Sequence, residues 1–184
     1  MDAAADTFHQ KDPRPLKLFF QDEARFGRMT NPVCCWAPKG LRPIVPMQRV
    51  RDYTHVYSAV CPADGDAFSL ILPYVNTEMM SLFLREISEQ FKEYRIVMVM
   101  DGAAWHKSKH LDNFENIRII YQPPYSPEVN PAEHLWEHLR EKYLSNQYWA
   151  TLDNLEAVLS NALAEASKMK NYIQSLVGFH WAII

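Results

Sequence analysis

The sequence predicts an α/β domain built on a mixed sheet, three antiparallel strands and then parallel strands, with helices on both faces. Three observations carry this. Three strand-like segments come first, separated by turns; helix and strand then alternate; and the later strands are apolar without alternation, as strands covered on both faces are. A chain of 184 residues, 48% hydrophobic and 22% charged, suits one domain with a substantial core.

The first 14 residues, running into "DPRP" at residues 12–15, read as a tether, and residues 15–184 as the folded domain. "LKLFFQDE" alternates as a strand, with Leu16, Leu18, Phe20 and Asp22 on one face, so that Asp22 stands where the apolar face runs out. "CCWAPKGLRP" carries a Pro-Lys-Gly turn and reads as a hairpin or projecting loop. "HVYSAVCP" and "AFSLILPYV" follow as strands about the turn "ADGD". Thr77 is placed to cap the helix "EMMSLFLREISEQFKEY", whose Met80, Phe83, Leu84, Ile87 and Phe91 recur at helical spacing as a core stripe. "RIVMVM" is a central strand ending at Asp101. A short helix over residues 107–114, the buried strand "IRIIYQP", a helix from Pro131 and a last helix, "LDNLEAVLSNALAEASKMK", complete the chain.

The net charge of −3 excludes a basic nucleic-acid module judged by overall charge. It does not exclude a DNA-cutting enzyme, whose site can collect carboxylates for metal ions. The clusters Lys39, Arg42, Arg49, Arg51 and Lys107, Lys109 read as solvated surface. Cys34, Cys35 and Cys61 have no metal-ligand spacing and read as buried thiols in a reducing compartment. No apolar run reaches the ~20 residues that span a bilayer, and the start lacks a signal peptide's pattern, so a soluble cytoplasmic protein with no membrane partner is expected.

The stretch "YQPPYSPEVNPAEHLWEHLREKY" concentrates the candidate chemistry, with four prolines among residues 123–131. A helix needs one proline at its start at most. At about 100° per residue, Ala132, Leu135, Trp136, Leu139 and Tyr143 share the buried stripe and Glu133 borders it. His134 and His138 then point to solvent. H-L-W-E-H matches an inverted zinc-protease pattern, but zinc needs a third ligand and a cleft, and two surface histidines is the plainer reading. The alternative is acidic. Asp22 and Asp101 each end an apolar strand and Glu133 follows a third. Three carboxylates at one sheet edge would raise one another's pKa unless a cation neutralised them, and oxygen-only ligands suit magnesium or manganese.

The segments "FFQDEARFG", "VMVMDGAAWHKS" and "QPPYSPEVNPAEHLW" together resemble the catalytic domain of mariner-type transposases, in the bacterial insertion-sequence branch of the Asp-Asp-Glu superfamily. The resemblance spans residues 16–165. It implies a ribonuclease-H-like fold and a two-metal site of Mg2+, with Mn2+ as substitute, held by the catalytic residues Asp22, Asp101 and Glu133. It also implies an enzyme that cuts DNA at mobile-element ends and joins the 3′-hydroxyl to target DNA, commonly at a TA dinucleotide. His106 fits the family's Asp-x-x-x-x-His segment and, with Asn130 and Lys107, is a candidate for supporting the site or touching DNA. A structural role for His106 and a capping role for Asn130 stay open beside that. Trp36, Gly40 and Pro43 resemble a loop that reaches toward the partner subunit, which implies a homodimer on DNA. Glu23 matches the family too, but alternation turns it to the opposite face from Asp22.

Gly102 departs from the family, standing where many relatives have asparagine. Relatives also carry helix-turn-helix modules ahead of the catalytic domain, so recognition of the ends is expected from a separate or missing module. Other readings that keep the fold are an inactive or domesticated interaction domain and a nuclease for RNA–DNA hybrids or DNA junctions.

Overall fold

The computed structural model describes residues 12–183 except 31, 104, 108–110, 112 and 124–125. Residues 1–11 of the expected tether, Lys109, and much of the helix expected over residues 107–114 therefore lie outside the described residues. Five strands, β1 (Leu16–Met29), β2 (Arg49–Val60), β3 (Ala67–Leu72), β4 (Arg95–Met100) and β5 (Ile117–Tyr121), form one sheet in the order β3-β2-β1-β4-β5. β1 to β3 pair antiparallel, while β1 with β4 and β4 with β5 pair parallel. This is the mixed sheet the sequence predicts.

β1 differs from its expected form. It runs for 14 residues, and Asp22 is its seventh, not its end. The apolar face continues past Asp22 through Ala24 and Phe26, both buried. What stops near Asp22 is the pairing with β4, whose last match is Phe20 with Val99. Beyond that point the only strand paired with β1 among the described residues is β2, with Asp22 opposite Ser58. β2 likewise starts earlier than expected, at Arg49. The turn between β2 and β3 needs Gly65: its φ is +73°, and a Cβ there would lie 1.9 Å from the Lys170 carbonyl oxygen.

Each face of the sheet has its own core. On one face lies α1 (Thr77–Gln90), whose Met80, Phe83, Leu84 and Ile87 pack against Phe19, Tyr57, Ile96, Met98 and Met100. Its cap is Asn76, not Thr77: the Asn76 side chain accepts from the Met79 N–H at 2.8 Å. Thr77 is the first helical residue and donates to the Trp105 carbonyl instead.

On the other face lie α2 (Ala132–Leu139), α3 (Leu152–Lys168) and α4 (Lys170–Val177). They cover Leu18, Phe20, Ala24, Phe26, Val56 and Val97. The last helix expected from the sequence breaks at Met169 and a further one, α4, follows. With only Ile173 and Val177 fully buried over eight residues, α4 is too short for its periodicity to stand out. After α2 the backbone continues as one π-helical stretch, Arg140–Leu144.

Cys61 is buried, but Cys34 and Cys35 are exposed, against expectation. They sit on the connection from β1 to β2, where Trp36 and Ile44 are also wholly exposed. The apolar residues there belong to a projecting loop and not to the core. Among the described residues no helix is long and apolar enough to cross a membrane.

Lys17 faces the α1 side and is almost fully buried. Its ammonium pairs with Asp64 and Asp66 of the β2–β3 turn and lies 4.7 Å from the Tyr94 ring centre. Burial opposes its charge, but the two carboxylates prevail and hold the ammonium above its usual range. Burial likewise pushes Asp64 up, but the bonds from Lys17, the Asp66 N–H and Cys61 together outweigh it, leaving that carboxyl below its usual range. The Asp64 contribution is present above its unfolded value of ~3.9 and lost as pH falls through the lower folded value. The Lys17 contribution is present below its unfolded value of ~10.4 and lost as pH rises through the higher folded value. Lys17→Met should therefore cost about 2–4 kcal/mol in urea melts at pH 7, the lower end reflecting solvent at Asp64. The penalty should shrink by half or more at pH 2; an equal penalty at both pH values would contradict the pairing.

Candidate functional site

A cleft of about 430 Å³ opens at the carboxyl ends of β4 and β5. Its walls bring together Asp22 from β1, Asp101, Gly102, Ala103 and Lys107 from the loop after β4, Gln122, Pro123 and Ser126 from the segment after β5, and Asn130 and Glu133 at the start of α2. Sites in open sheets of this kind gather at such strand ends.

Three different kinds of backbone position the three carboxylates. Asp22 is fixed by strand pairing on β1, and its Oδ2 accepts from the Trp136 Nε1–H at 2.8 Å. Burial, then the charges of Glu133 and Glu23, push its carboxyl up to about 7 against the opposing Trp136 bond. Asp101 follows β4 on a loop and is largely exposed; its Oδ1 accepts from the Ala103 N–H at 3.0 Å and lies 2.7 Å from His106 Nδ1. Glu133 stands in the first turn of α2, the end of a helix that favours a negative charge.

Asn130 links the first and third of these. Its Nδ2 donates to the Gln21 carbonyl at 3.0 Å and its Oδ1 accepts from the Ala132 N–H at 3.1 Å. The Glu133 N–H donates to the Asn130 carbonyl at 3.2 Å. Pro131 already has helical angles, with φ −58°, and Pro127 opens a short 3-10 turn, Pro127–Val129. Pro124 and Tyr125 lie outside the described residues.

His106 is buried and spans two carboxylates: its Nε2 is 2.8 Å from Glu23 Oε1, and its Nδ1 faces Asp101. Burial disfavours its charged form, but Glu23 and Asp101 outweigh that and raise its pKa. Lys107 lines the cleft with Nζ 5.3 Å from the Tyr121 ring centre. Trp36, Gly40 and Pro43 are exposed on the β1–β2 loop, and none of them lines the cleft.

The histidines of the H-L-W-E-H stretch are engaged elsewhere. His134 Nδ1 pairs with Glu137 at 3.2 Å and its ring lies against Phe179. His138 was expected in solvent but is half-buried, its Nδ1 3.0 Å from the Tyr172 hydroxyl of α4. The unanticipated helix α4 accounts for that difference.

Sequence reasoning assigned Trp136 only to the core, gave Glu23 no part and passed over Gln122. Periodicity reports which face a residue occupies; it does not report that a buried indole N–H finds its acceptor in a carboxylate.

Among the described residues no group of three or more His, Cys, Asp or Glu is gathered closely enough to hold a metal ion. The three cleft carboxylates share its walls without converging on one point. Their oxygen-only donor set, and an Asp22 whose ionisation is disfavoured by burial first and then by the neighbouring carboxylates, nonetheless fit a hard divalent cation.

A family model described as DDE superfamily endonuclease matches residues 17–156. The uncharacterized protein y4pE/y4sA of Sinorhizobium fredii is 36% identical over 104 residues, 56% of this chain and 77% of that protein. The insertion element IS630 uncharacterized 39 kDa protein of Shigella sonnei is 32% identical over 85 residues, 42% of this chain and 25% of that protein. Among solved structures, the Mos1 transposase paired-end complex with left transposon end has a TM-score of 0.66 at 17% identity, over 88% of this chain and 51% of that chain. The Mos1 mariner paired end complex with Mn has a TM-score of 0.66 at 15% identity, over the same shares. The HTLV-2 integrase catalytic core domain in complex with magnesium has a TM-score of 0.50 at 12% identity, over 84% of this chain and 86% of that one. At these identities the structural likeness shows the fold, the ribonuclease-H-like core. The chain spans about half the length of the Mos1 chains and a quarter of the Shigella protein. The family model, which matches most of the chain, carries the rest: the chain belongs to the DDE superfamily endonucleases.

Proposed function

We propose that this domain cuts DNA at the ends of a mobile element and joins the freed 3′-hydroxyl to target DNA, with Asp22, Asp101 and Glu133 as metal ligands. The observation that carries the reading is the meeting of these three carboxylates, from three distant segments, in one cleft beyond the end of β4. When bound there, two Mg2+ ions, or Mn2+ in their place, would supply activation of a water or 3′-hydroxyl and stabilisation of the leaving oxygen. The protein's own part is placement. Asn130 holds the start of α2 to β1, Trp136 orients the Asp22 carboxylate, and Lys107 offers a cation to a DNA phosphate at the cleft wall.

The solved Mos1 structures hold transposon-end DNA in one case and Mn in another, which supports DNA and a divalent cation as partners here. In the same reading residues 15–184 are the catalytic domain, residues 1–14 tether it in the cytoplasm, and the exposed loop bearing Trp36, Gly40 and Pro43 contacts a second copy on DNA. Recognition of the ends belongs to a helix-turn-helix module outside this domain.

Asp101→Asn should lower cleavage of a transposon-end duplex by ~10³-fold or more, since several kcal/mol of charge stabilisation depend on the ligand. Its thermal midpoint without metal should be nearly unchanged, because the side chain is largely exposed and Asn retains an oxygen that accepts from the Ala103 N–H. A variant cutting at the wild-type rate would remove Asp101 from the site.

Mn2+ at 100 times its dissociation constant should stabilise the wild-type domain by about 2.7 kcal/mol, read as a rise in thermal midpoint. The rise should vanish in Asp22→Asn and in Glu133→Gln. If both variants respond as the wild type does, the cation binds elsewhere. With a net charge of −3, the isolated chain should also bind DNA weakly and without sequence preference. Nanomolar sequence-specific gel shifts at moderate salt would refute that division of labour.

A further inference from the structure

Of the three cleft carboxylates, Asp101 alone is carried on irregular backbone. Asp22 lies within a strand and Glu133 within a helix, whereas Asp101 belongs to the irregular loop that follows β4. Its side chain is 56% exposed, so solvent alone would leave it free to rotate. Its Oδ1 accepts from the Ala103 N–H and lies 2.7 Å from His106 Nδ1, and the same Nδ1 lies 3.1 Å from the Asp101 main-chain carbonyl, so His106 holds both the backbone and the carboxylate of this residue.

His106 is in turn built into the protein. Its side chain is 1% exposed, its carbonyl accepts from the Tyr121 hydroxyl at 2.7 Å, and its N–H donates to the Ala103 carbonyl at 3.0 Å. The ring nitrogen facing away from Asp101 meets Glu23, a carboxylate only 8% exposed on the opposite face of β1 from Asp22. The Trp105 Nε1–H donates to the same Glu23 oxygen at 3.3 Å. Among the described residues no lysine or arginine pairs with Glu23, and His106 and Trp105 both meet its Oε1.

We infer that Glu23 is a positioning residue: through His106 it holds the Asp101 carboxylate in the orientation a metal ion requires. Strand β1 thereby fixes both aspartates, Asp22 directly and Asp101 through a strut in which the His106 ring joins the Glu23 carboxylate to the main-chain carbonyl and carboxylate of Asp101. Partners of this kind, one hydrogen bond behind a ligand, set its orientation and basicity. The inference rests on the reading of Asp101 as a ligand.

The test is Mn2+ binding to the 184-residue chain, followed by electron paramagnetic resonance of the free ion, in wild type, D101N, E23L, E23Q and H106N. E23L removes the acceptor for His106. H106N keeps an N–H donor near the Nδ1 position but cannot reach Glu23 as well. Both should weaken binding ~10–100-fold, while E23Q, whose amide oxygen still accepts from Nε2–H, stays within about threefold of wild type. Circular dichroism checks folding, and if E23L fails to fold, H106N decides.

Loss of binding in D101N with wild-type affinity in E23L and H106N would overturn the strut while leaving the metal reading intact. E23Q as weak as E23L would also overturn it, since charge and not placement would then be what matters. Wild-type affinity in D101N would instead overturn the ligand assignment, and the strut with it.

Discussion

The architecture depends on one mismatch of length. β1 runs for 14 residues and its parallel neighbour β4 for six, with the last match at Phe20 and Val99. On that flank the rest of β1 has no strand beside it, and the cleft opens in the vacated place. Where β4 no longer reaches, the Gln21 carbonyl takes its hydrogen bond from Asn130 instead. A backbone group that would otherwise be left unsatisfied thus becomes the anchor for the start of α2. The carboxylate of Glu133 is carried to the cleft because the sheet edge needs a donor there.

The alternation of β1 then distributes functions between its two faces. Asp22 turns toward α2 and is met by the Trp136 indole, a fully buried ring whose N–H needs an acceptor. Glu23 turns toward α1 and is met by His106 and Trp105. Two adjacent acidic residues can coexist there because strand geometry sends them to opposite sides and gives each its own donors. Asp22 still bears the cost, with its ionisation disfavoured by burial and by Glu133 and Glu23.

Much of this was legible in the sequence. The core stripe of α1 and the buried face of α2 follow from periodicity, and the central strand β4 from its unbroken apolar run; β5, expected as a buried strand, is an edge strand and only partly buried. The three cleft carboxylates could be singled out because each lies next to an apolar run. The extent of β1 was not legible: Glu23, Arg25 and Arg28 break the pattern just where one flank of the strand loses its neighbour. The exposed Cys34 and Cys35 misled for the converse reason, being apolar residues on a projecting loop. α4 was missed because eight residues with two anchors give no clear period, and with it the cover over His138. Trp136 and Glu23 escaped because hydrogen bonds across 114 and 83 residues leave no local trace.

Charge sets the final constraint on how such a cleft can meet DNA. Its described lining holds three carboxylates and one ammonium, Lys107, for a formal charge of −2. A phosphodiester would be repelled from that surface, and the net charge of −3 on the whole chain gives no compensating field. Two divalent cations would invert the sign to +2 and make the same walls attractive to phosphate. The acidic residues would then act both as ligands and as a gate, unfavourable to DNA alone and favourable to DNA with metal. A catalytic domain built this way has little affinity for DNA before its cations are bound, which agrees with the proposal that another module recognises the ends.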